Sequence, residues 1–541
     1  MPFFALLFMM LLSVPARIIA QQLPAPERPK LIVGIVIDQM RWDYLYRYAE
    51  RYTQNGFRRL VNQGFSCENT FISYTPTYTA AGHAGIYTGS VPAIHGIVGN
   101  NWYERKLGRN VYCTDDSTVI TVGSGSDAGK MSPRNMMTTT IGDELRLASN
   151  YESKVIGIAL KDRGSILPAG HSANAAYWFD DATGGWVSSS YYMKELPKWV
   201  MQFNHKKLPD QILNTNWNTL FPIDTYTQSS ADARSYENNL PGEDNGFPHI
   251  TSTIKNNKYL SFRYTPSANT FTFEMAKAAV EGEELGLRNA TDLLAVSLSS
   301  TDYIGHEFGP NSIEVEDTYL RLDKDIGDFI SYLDRKIGRS GYLLFLSADH
   351  GVAHVPAFLK EKGVPAGVLD DEVIRELLEK TIAGQFGIRP VLKVINYQVY
   401  LDHNKLDVPG KDKDIITETI ISTLLSRNEI ANAYRLDRPA MINLPEKIRD
   451  RLINGYNQKR SGDIQFIYKP GYFDGGDKGT THGTWNPYDS HIPLLWFGWK
   501  IKPGKTNREV YMADIAPTIT AMLKIQMPNG CMGNVIEEVT R

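Results

Sequence analysis

The chain has 541 residues, 42% of them hydrophobic and 22% charged, with a formal net charge of -3, which is ordinary globular composition. That balance gives no basic footprint for nucleic acid, and 29 tyrosines and 9 tryptophans argue against extended disorder. The length corresponds to two or three domains, or to one large core with insertions.

In chain order, the first feature is the apolar run Phe3–Val14, too short for a membrane span and of signal-peptide length. With Ile18 and Ala20 before the cleavage point, residues 1–20 are expected to be a signal peptide, although no Lys or Arg precedes the run. The alternative is a retained membrane anchor. Residues 21–30 form a Pro-rich leader, and no later segment is long and apolar enough to span a bilayer. Export is therefore expected, to the periplasm or beyond, with no stable membrane association once the signal is removed.

Leu31–Asp38, Lys154–Leu160, Asp292–Asp302, Tyr342–Gly351 and His491–Gly498 are short apolar, β-rich runs of the kind buried parallel strands show. Helical patterns separate them. Between Val315 and Ile337, apolar residues recur at steps of three and four, and Gly338 is a natural stop. This alternation predicts an α/β fold, a mostly parallel central sheet with helices on both faces. Two regions break the rhythm. Residues 182–268 are rich in Tyr, Trp, Asn, Pro and Ser, and residues 356–478 carry their own helices and β-like runs. Both are expected to be insertions forming a cap or accessory subdomain, which leaves 31–181, 269–355 and 479–541 as the core. Of the three cysteines, Cys67 and Cys113 could pair, but the sequence does not establish it.

Chemistry gathers where the strands end. Asp38 ends the first run, Lys161 and Arg163 follow the second, Asp302 ends the third with His306 four residues on, and Asp349 and His350 end the fourth. Ligands bind beyond the carboxyl ends of strands in open α/β sheets. A lone strand-end Asp is as often a helix cap, and His83, His95, His171 and His354 each read as structural. The set Asp38, Asp302, His306, Asp349, His350 and, from "GTTHGTW", His482 is another matter. Carboxylate and imidazole together suit zinc better than calcium or magnesium. Six ligands are too many for one tetrahedral ion and about right for two. One more segment stands out: Ser73–Gly89, "SYTPTYTAAGHAGIYTG", which combines four threonines with small residues.

The stretches "IVIDQMRWDYL", "TPTYTAAGHAGIYTGSVPAIHGIVGNNWYER", "KDRGSILPAGH", "STDYIGHEFGP", "SADHGVAHVP" and "GTTHGTWNPYDSHIPLLWFG" together resemble the alkaline phosphatase superfamily. Within it the chain is most similar to the threonine-nucleophile, phosphate-irrepressible alkaline phosphatases of flavobacterial type, from about Leu31 to the C-terminus. The sulfatase signature C/S-x-P-x-R is absent. The resemblance implies one zinc on Asp302, His306 and His482, and a second on Asp38, Asp349, His350 and the nucleophile. Thr79 takes the nucleophile position, with Thr77 the less favoured candidate. Asn100 would hydrogen-bond a phosphate oxygen, and Lys161 and Arg163 match the pair that contacts the transferred phosphoryl group in the monoesterases.

The implied reaction is double displacement on small phosphate monoesters through a phospho-threonine, by a monomer. The extra negative charge of a monoester, compared with a diester, favours a site with two added cations, and Arg can grip two oxygens at once. The alternatives are a nucleotide pyrophosphatase/phosphodiesterase on the same scaffold, or a catalytically silent metal-stabilised ectodomain.

Overall fold

The computed structural model describes residues 27–240, 245–407, 409–410 and 412–540. The expected signal peptide and most of the leader lie outside them. The elements that position the site are, in chain order, strands β1 (Leu31–Ile37), β2 (Phe65–Phe71), β3 (Asn101–Glu104), β4 (Arg109–Tyr112), β5 (Val155–Ala159), β6 (Ala175–Asp180), β7 (Gly185–Ser189), β8 (Asp292–Leu298) and β9 (Tyr342–Ser347). Four strands of a smaller sheet follow, β10 (Val391–Ile395), β11 (Gln398–Leu401), β12 (Ile430–Arg435) and β13 (Ile464–Tyr468), and then β14 (Leu494–Gly498). The helices used below are α1 (Thr79–Thr88), α2 (Asp162–Ala169), α3 (Ser267–Glu283), α4 (Ser300–Phe308), α5 (Ile313–Lys336), α6 (Asp371–Phe386) and α7 (Lys413–Leu425).

The fold is α/β. An eleven-stranded sheet runs in the order β2–β14–β9–β1–β8–β5–β6–β7, with short strands completing its edges. Its centre, β9–β1–β8–β5–β6, is parallel, and β14 and β7 join it antiparallel on either side. Every residue of β1, β8 and β9 is buried, as expected of strands covered on both faces. Register fixes the site. Val36 pairs with both Ser297 and Ser347, so the three central strands end level with one another. The segments carrying Asp38, Asp302 and Asp349 therefore leave the sheet on one edge.

The helix predicted from the Val315–Ile337 periodicity is α5. Its N-cap Ser312 accepts a hydrogen bond from the Val315 N–H, and Gly338 follows its end with φ 88. Such caps satisfy backbone groups that a helix terminus leaves open.

Within 182–268, β7 joins the main sheet, and Trp217, Tyr226, Leu240 and Phe262 are buried in the main core. Trp217 Nε1 and the Tyr226 hydroxyl both donate to the Asp317 carboxylate on α5. Within 356–478, β10–β11–β13–β12 make a separate antiparallel sheet. Its own core includes Ile374 and Leu378 of α6, Ile416 and Ile420 of α7, and Val399, Ile464 and Phe466 of the strands. Cys67, Cys113 and Cys531 are all free thiols.

Gly157 on β5 lets α2 sit against the sheet. A Cβ there would come within 2.2 Å of the Ser165 carbonyl oxygen, so the helix would have to lift. Gly157→Ala is expected to destabilise the fold by about 1–3 kcal/mol through overpacking, and to displace Lys161 and Arg163 at the start of α2. A thermal unfolding midpoint equal to that of the parent chain would contradict this.

Candidate metal and phosphoryl site

Asp38 follows β1, Asp302 and His306 occupy the first and last turns of α4, and Asp349 and His350 lie in the turn after β9. His482 arrives on the loop before Pro487–Ser490. Asp38, Asp349 and His350 are fully buried, and Asp302 and His482 nearly so.

Two donor groups emerge. In the first, His306 Nε2 lies 3.1 Å and His482 Nε2 3.7 Å from Asp302 Oδ1. In the second, His350 Nε2 lies 3.5 Å from Asp38 Oδ1, 3.4 Å from Asp349 Oδ2 and 3.3 Å from Thr79 Oγ1. A tetrahedral zinc with ligands at about 2.0–2.1 Å sets neighbouring donors about 3.3 Å apart, so these spacings fit. Donor atoms within 4.8 Å of one another form two sets, Asp302–His306–His482 and Asp38–Asp302–His350. Asp302 thus belongs to both, while Asp349 sits to one side of the second.

The imidazoles are turned for metal binding. Their Nδ1 atoms lie 2.7 Å from the Thr480 carbonyl for His306, 2.9 Å from the Gly351 carbonyl for His350 and 2.7 Å from the Thr77 carbonyl for His482. A carbonyl can only accept, so each Nδ1 carries the proton and each Nε2 presents its lone pair to the cluster. Burial, first of all, lowers the pKa of His350 and of His482, which keeps them neutral. Burial also lowers that of His306, but the Asp302 carboxylate outweighs it and the net direction is up.

The carboxylates are in tension. Asp38 Oδ1 and Asp349 Oδ2 are buried without an aligned hydrogen-bond donor. Burial, then repulsion from Asp302 and Asp349, pushes the Asp38 pKa far up. Asp302 is also pushed up by burial, yet His306 and Lys161 hold it well below the usual carboxylate range. Asp349 follows the same pattern, with burial outweighed by His350 and His83. Buried carboxylate oxygens without an aligned donor, set among the Nε2 atoms of three imidazoles, are the donor set a divalent cation would complete.

Lys161 is buried between two of these acids, its Nζ 2.6 Å from Asp38 Oδ2 and 2.5 Å from Asp302 Oδ2. Burial lowers its pKa, but the two carboxylates reverse this and keep the ammonium charged. The sequence pointed Lys161 at a phosphoryl group; in this structure it bridges Asp38 and Asp302. Arg163 is aimed differently. Its Nη1 donates to the Tyr112 hydroxyl at 2.9 Å, and among the described residues it forms no ion pair within 4 Å.

Thr79 opens α1, a helix buried over all ten residues. Small residues make this approach feasible, since a Cβ on Gly82 would meet the Asp349 backbone oxygen at 2.5 Å. A helix N-terminus also favours an anion. Asn100 Oδ1 accepts the Ala80 N–H at 3.0 Å, which leaves the Asn100 amide NH2 to donate. Thr77 Oγ1 donates to the Thr484 carbonyl at 3.1 Å and so is engaged in holding the His482 loop.

Three contributors, Gln39, Arg263 and Tyr112, escaped sequence reasoning, and His83, read from the sequence as structural, stands beside the cluster. His83, one turn beyond Thr79, bonds the Thr79 carbonyl at 2.9 Å and Ser297 Oγ at 2.8 Å, and lies 3.2 Å from Asp349 Oδ2. Gln39, with φ 66, donates from its backbone N–H to Asp349 Oδ1 and from Nε2 to Asp302 Oδ1. Arg263, from the 182–268 segment, ties the Leu160 and Phe179 carbonyls together. Tyr112 meets Arg163 as described. The only cue was position beside a strand end, and that applies to Gln39 alone. A cavity of about 350 Å³ opens beside Lys161, Asp162 and Arg163, with Trp178, Arg263 and Tyr303 among its other walls.

Comparison with known proteins gives a consistent set. Residues 32–491 match the family described as type I phosphodiesterase / nucleotide pyrophosphatase. Alkaline phosphatase PhoV of Synechococcus elongatus is 53% identical, the match covering 95% of this chain and 93% of that protein. A Myroides odoratus protein named calcium-transporting ATPase is 52% identical, with 95% of each chain covered. Alkaline phosphatase PafA of Elizabethkingia meningoseptica is 49% identical, with 96% of each covered. A crystal structure of PafA superposes with a TM-score of 0.93 at 49% identity, over 96% of this chain and 100% of that one.

The chain leading to Asn100 contains a pH-sensitive residue outside the cluster. Burial, then Arg460, lowers the His95 pKa from 6.5 to about 3, and its Nδ1 accepts the Ile97 N–H. The folded protein keeps His95 neutral, whereas the unfolded chain takes up a proton below about 6.5. Stability is therefore unaffected above that pH and falls as pH drops from there towards 3. Between pH 7 and 5, the parent chain is expected to lose about 2 kcal/mol more than His95→Asn, which keeps an acceptor. Denaturant unfolding at both pH values checks this, and parallel losses in the two proteins would contradict it.

Proposed function

The chain belongs to the type I phosphodiesterase / nucleotide pyrophosphatase family, alongside the alkaline phosphatases PhoV and PafA, and from that premise we propose an exported, two-zinc phosphomonoesterase acting through a phospho-threonine. It is a phosphoric monoester hydrolase of alkaline phosphatase type. The observation that carries the finer reading is the convergence of Thr79 Oγ1 with His350 Nε2 at 3.3 Å, beside buried oxygens of Asp38 and Asp349 that have no aligned hydrogen-bond donor.

Asp302, His306 and His482 would hold one ion, and Asp38, Asp349, His350 and Thr79 the other. Bound there, two such ions supply positive charge to the attacking and leaving oxygens of an in-line displacement. Thr79 is the nucleophile. Its Oγ1–P bond forms as the ester P–O bond breaks, the Thr79 proton is lost and the leaving alkoxide is protonated. Water then attacks the phospho-threonine, the P–Oγ1 bond breaks, and orthophosphate leaves with Thr79 reprotonated. The Asn100 amide donates to a phosphoryl oxygen. Arg163 grips the phosphoryl group, and Lys161 adds charge once cations satisfy Asp38 and Asp302. An unperturbed threonine hydroxyl is a poor nucleophile at neutral pH, so the buried, anion-favouring start of α1 matters as much as the hydroxyl itself.

The preference for monoesters rests on Lys161 and Arg163, charges that a diester's second ester group would meet unfavourably. The 356–478 segment, with its separate core, would act as an accessory wall of the site. The substrates are small phosphorylated metabolites, taken up by a monomer. Export rests on the Phe3–Val14 run. No helix of the described residues is long and apolar enough to cross a membrane. The transporter name of the Myroides relative concerns that protein; release of a terminal phosphoryl group is chemistry this site also offers.

Thr79→Ala is expected to keep its metal content, measured by elemental analysis, while aryl phosphate turnover falls by about a thousandfold or more. Near-parental turnover at full metal content would remove Thr79 as nucleophile, and a several-fold preference for a bis-aryl phosphate in the parent enzyme would favour the diesterase. Chelation should abolish turnover and lower the unfolding midpoint, because the orphaned carboxylates lose their counter-charge, with zinc restoring both. An unchanged midpoint after verified metal removal would contradict this.

A further inference from the structure

Arg163 has a carboxylate as its immediate neighbour in sequence, and yet does not pair with it. Asp162 Oδ1 instead accepts three donors: the backbone N–H of Arg163, the Tyr112 hydroxyl at 2.5 Å and, more distantly, Thr114 Oγ1 at 3.4 Å. An ionised carboxylate can only accept, so the phenol proton points at Asp162 and the phenol lone pairs face outward. One of them receives Arg163 Nη1 at 2.9 Å. The result is a closed loop, Asp162–Tyr112–Arg163, in which the phenol stands between the acid and the base. Among the described residues the remaining donors of Arg163 have no hydrogen-bond acceptor, and its Nε is buried.

The phenol reaches this place by a long route. Tyr112 ends β4, the return strand of the β3–β4 hairpin, and pairs with Asn101 across it. Asn100 stands at the base of the same hairpin, its carbonyl accepting the Cys113 N–H at 2.9 Å. The 356–478 segment grips the hairpin at both its turn and its base. Arg105 donates to the Ser461 carbonyl at 2.9 Å and to Asp463 Oδ2 at 2.8 Å, while Asn396 Nδ2 donates to the Asn101 carbonyl at 2.7 Å. Arg460 stacks on Trp102 with 4.8 Å between guanidinium and ring.

We infer that Tyr112 is a positioning residue for the monoesterase reaction: its hydroxyl holds the Arg163 guanidinium open towards the phosphoryl group and keeps Asp162 from neutralising it. The inference rests on the proposed role of Arg163. Without the hydroxyl, Asp162 loses a strong donor, and the nearest replacement is the guanidinium beside it. An Arg–carboxylate pair would then form at the expense of the phosphate contact. Ring packing is unaffected by removing one oxygen, which makes Tyr112→Phe the informative change.

The experiment uses the zinc-loaded full chain, with inorganic phosphate as the binding probe and an aryl phosphate and a bis-aryl phosphate as substrates. Tyr112→Phe is expected to weaken orthophosphate binding, read by calorimetry, about tenfold, and to lower kcat/KM for the monoester by about the same factor with diester turnover little changed. In an Arg163→Ala background the same substitution should have no further effect on phosphate binding. Equal losses on both esters, or a full tenfold loss of phosphate binding in the Arg163→Ala background, would overturn the inference in favour of a structural role for the phenol. Asp162→Asn, which removes the competing charge, should restore phosphate binding to the Tyr112→Phe protein, and no recovery would likewise count against it. Failure of the parent enzyme to turn over the aryl phosphate would defeat the functional proposal. The phosphate-binding cycle would still decide the role of Tyr112.

Discussion

Three carboxylates, Asp38, Asp302 and Asp349, are buried at level strand ends, and their mutual repulsion is the constraint around which the rest of the molecule is arranged. Charges taken out of water interact strongly and lose their hydration. Every neighbour answers one of those two penalties. Lys161 bridges Asp38 and Asp302, Gln39 donates to Asp302 and Asp349, His83 stands by Asp349, and three imidazoles turn their lone pairs inward. The backbone holds the three acids together, so the cluster offers donor groups that could hold a metal ion.

The same constraint explains the composition of the Ser73–Gly89 stretch. A helix passing next to Asp349 has no room for side chains on that face, hence Gly82 and the run of alanines around it. Its hydroxyls divide by position. Thr79 faces the cluster, Thr77 and Thr75 hold the loop at Gly483 and Thr484, and Thr88 closes on the Ala84 carbonyl within the helix.

What the sequence conveyed was the part written locally. A buried parallel strand is a continuous apolar run, and an acid at its end is visible as such, so Asp38, Asp302 and Asp349 could be read off directly, and His306 by its helical spacing. Loop geometry could not be read. That Asp302 reaches towards both donor groups while Asp349 sits to one side depends on turn conformation, including the positive φ of Gln39. Nor could the sequence indicate that Lys161 would lie between two acids, since strand-end spacing says nothing of where a long flexible side chain finds its partner. Tyr112 and Arg263 were invisible for a further reason. Each acts on residues some fifty to a hundred positions away, through a hairpin that folds back and a segment that returns to the sheet.

The accessory sheet lies, in chain order, between His350 and His482. The candidate ligand set is therefore interrupted in sequence by a unit with its own core, and His482 stands on the chain that returns from it. Holding the two ends of so long a loop together carries a loop-closure entropy that the small sheet must offset by folding. The two sides of that interruption meet directly, the His350 and His482 rings stacking with centroids 3.5 Å apart, so the cluster exists only where the chain before and after the small sheet is brought together.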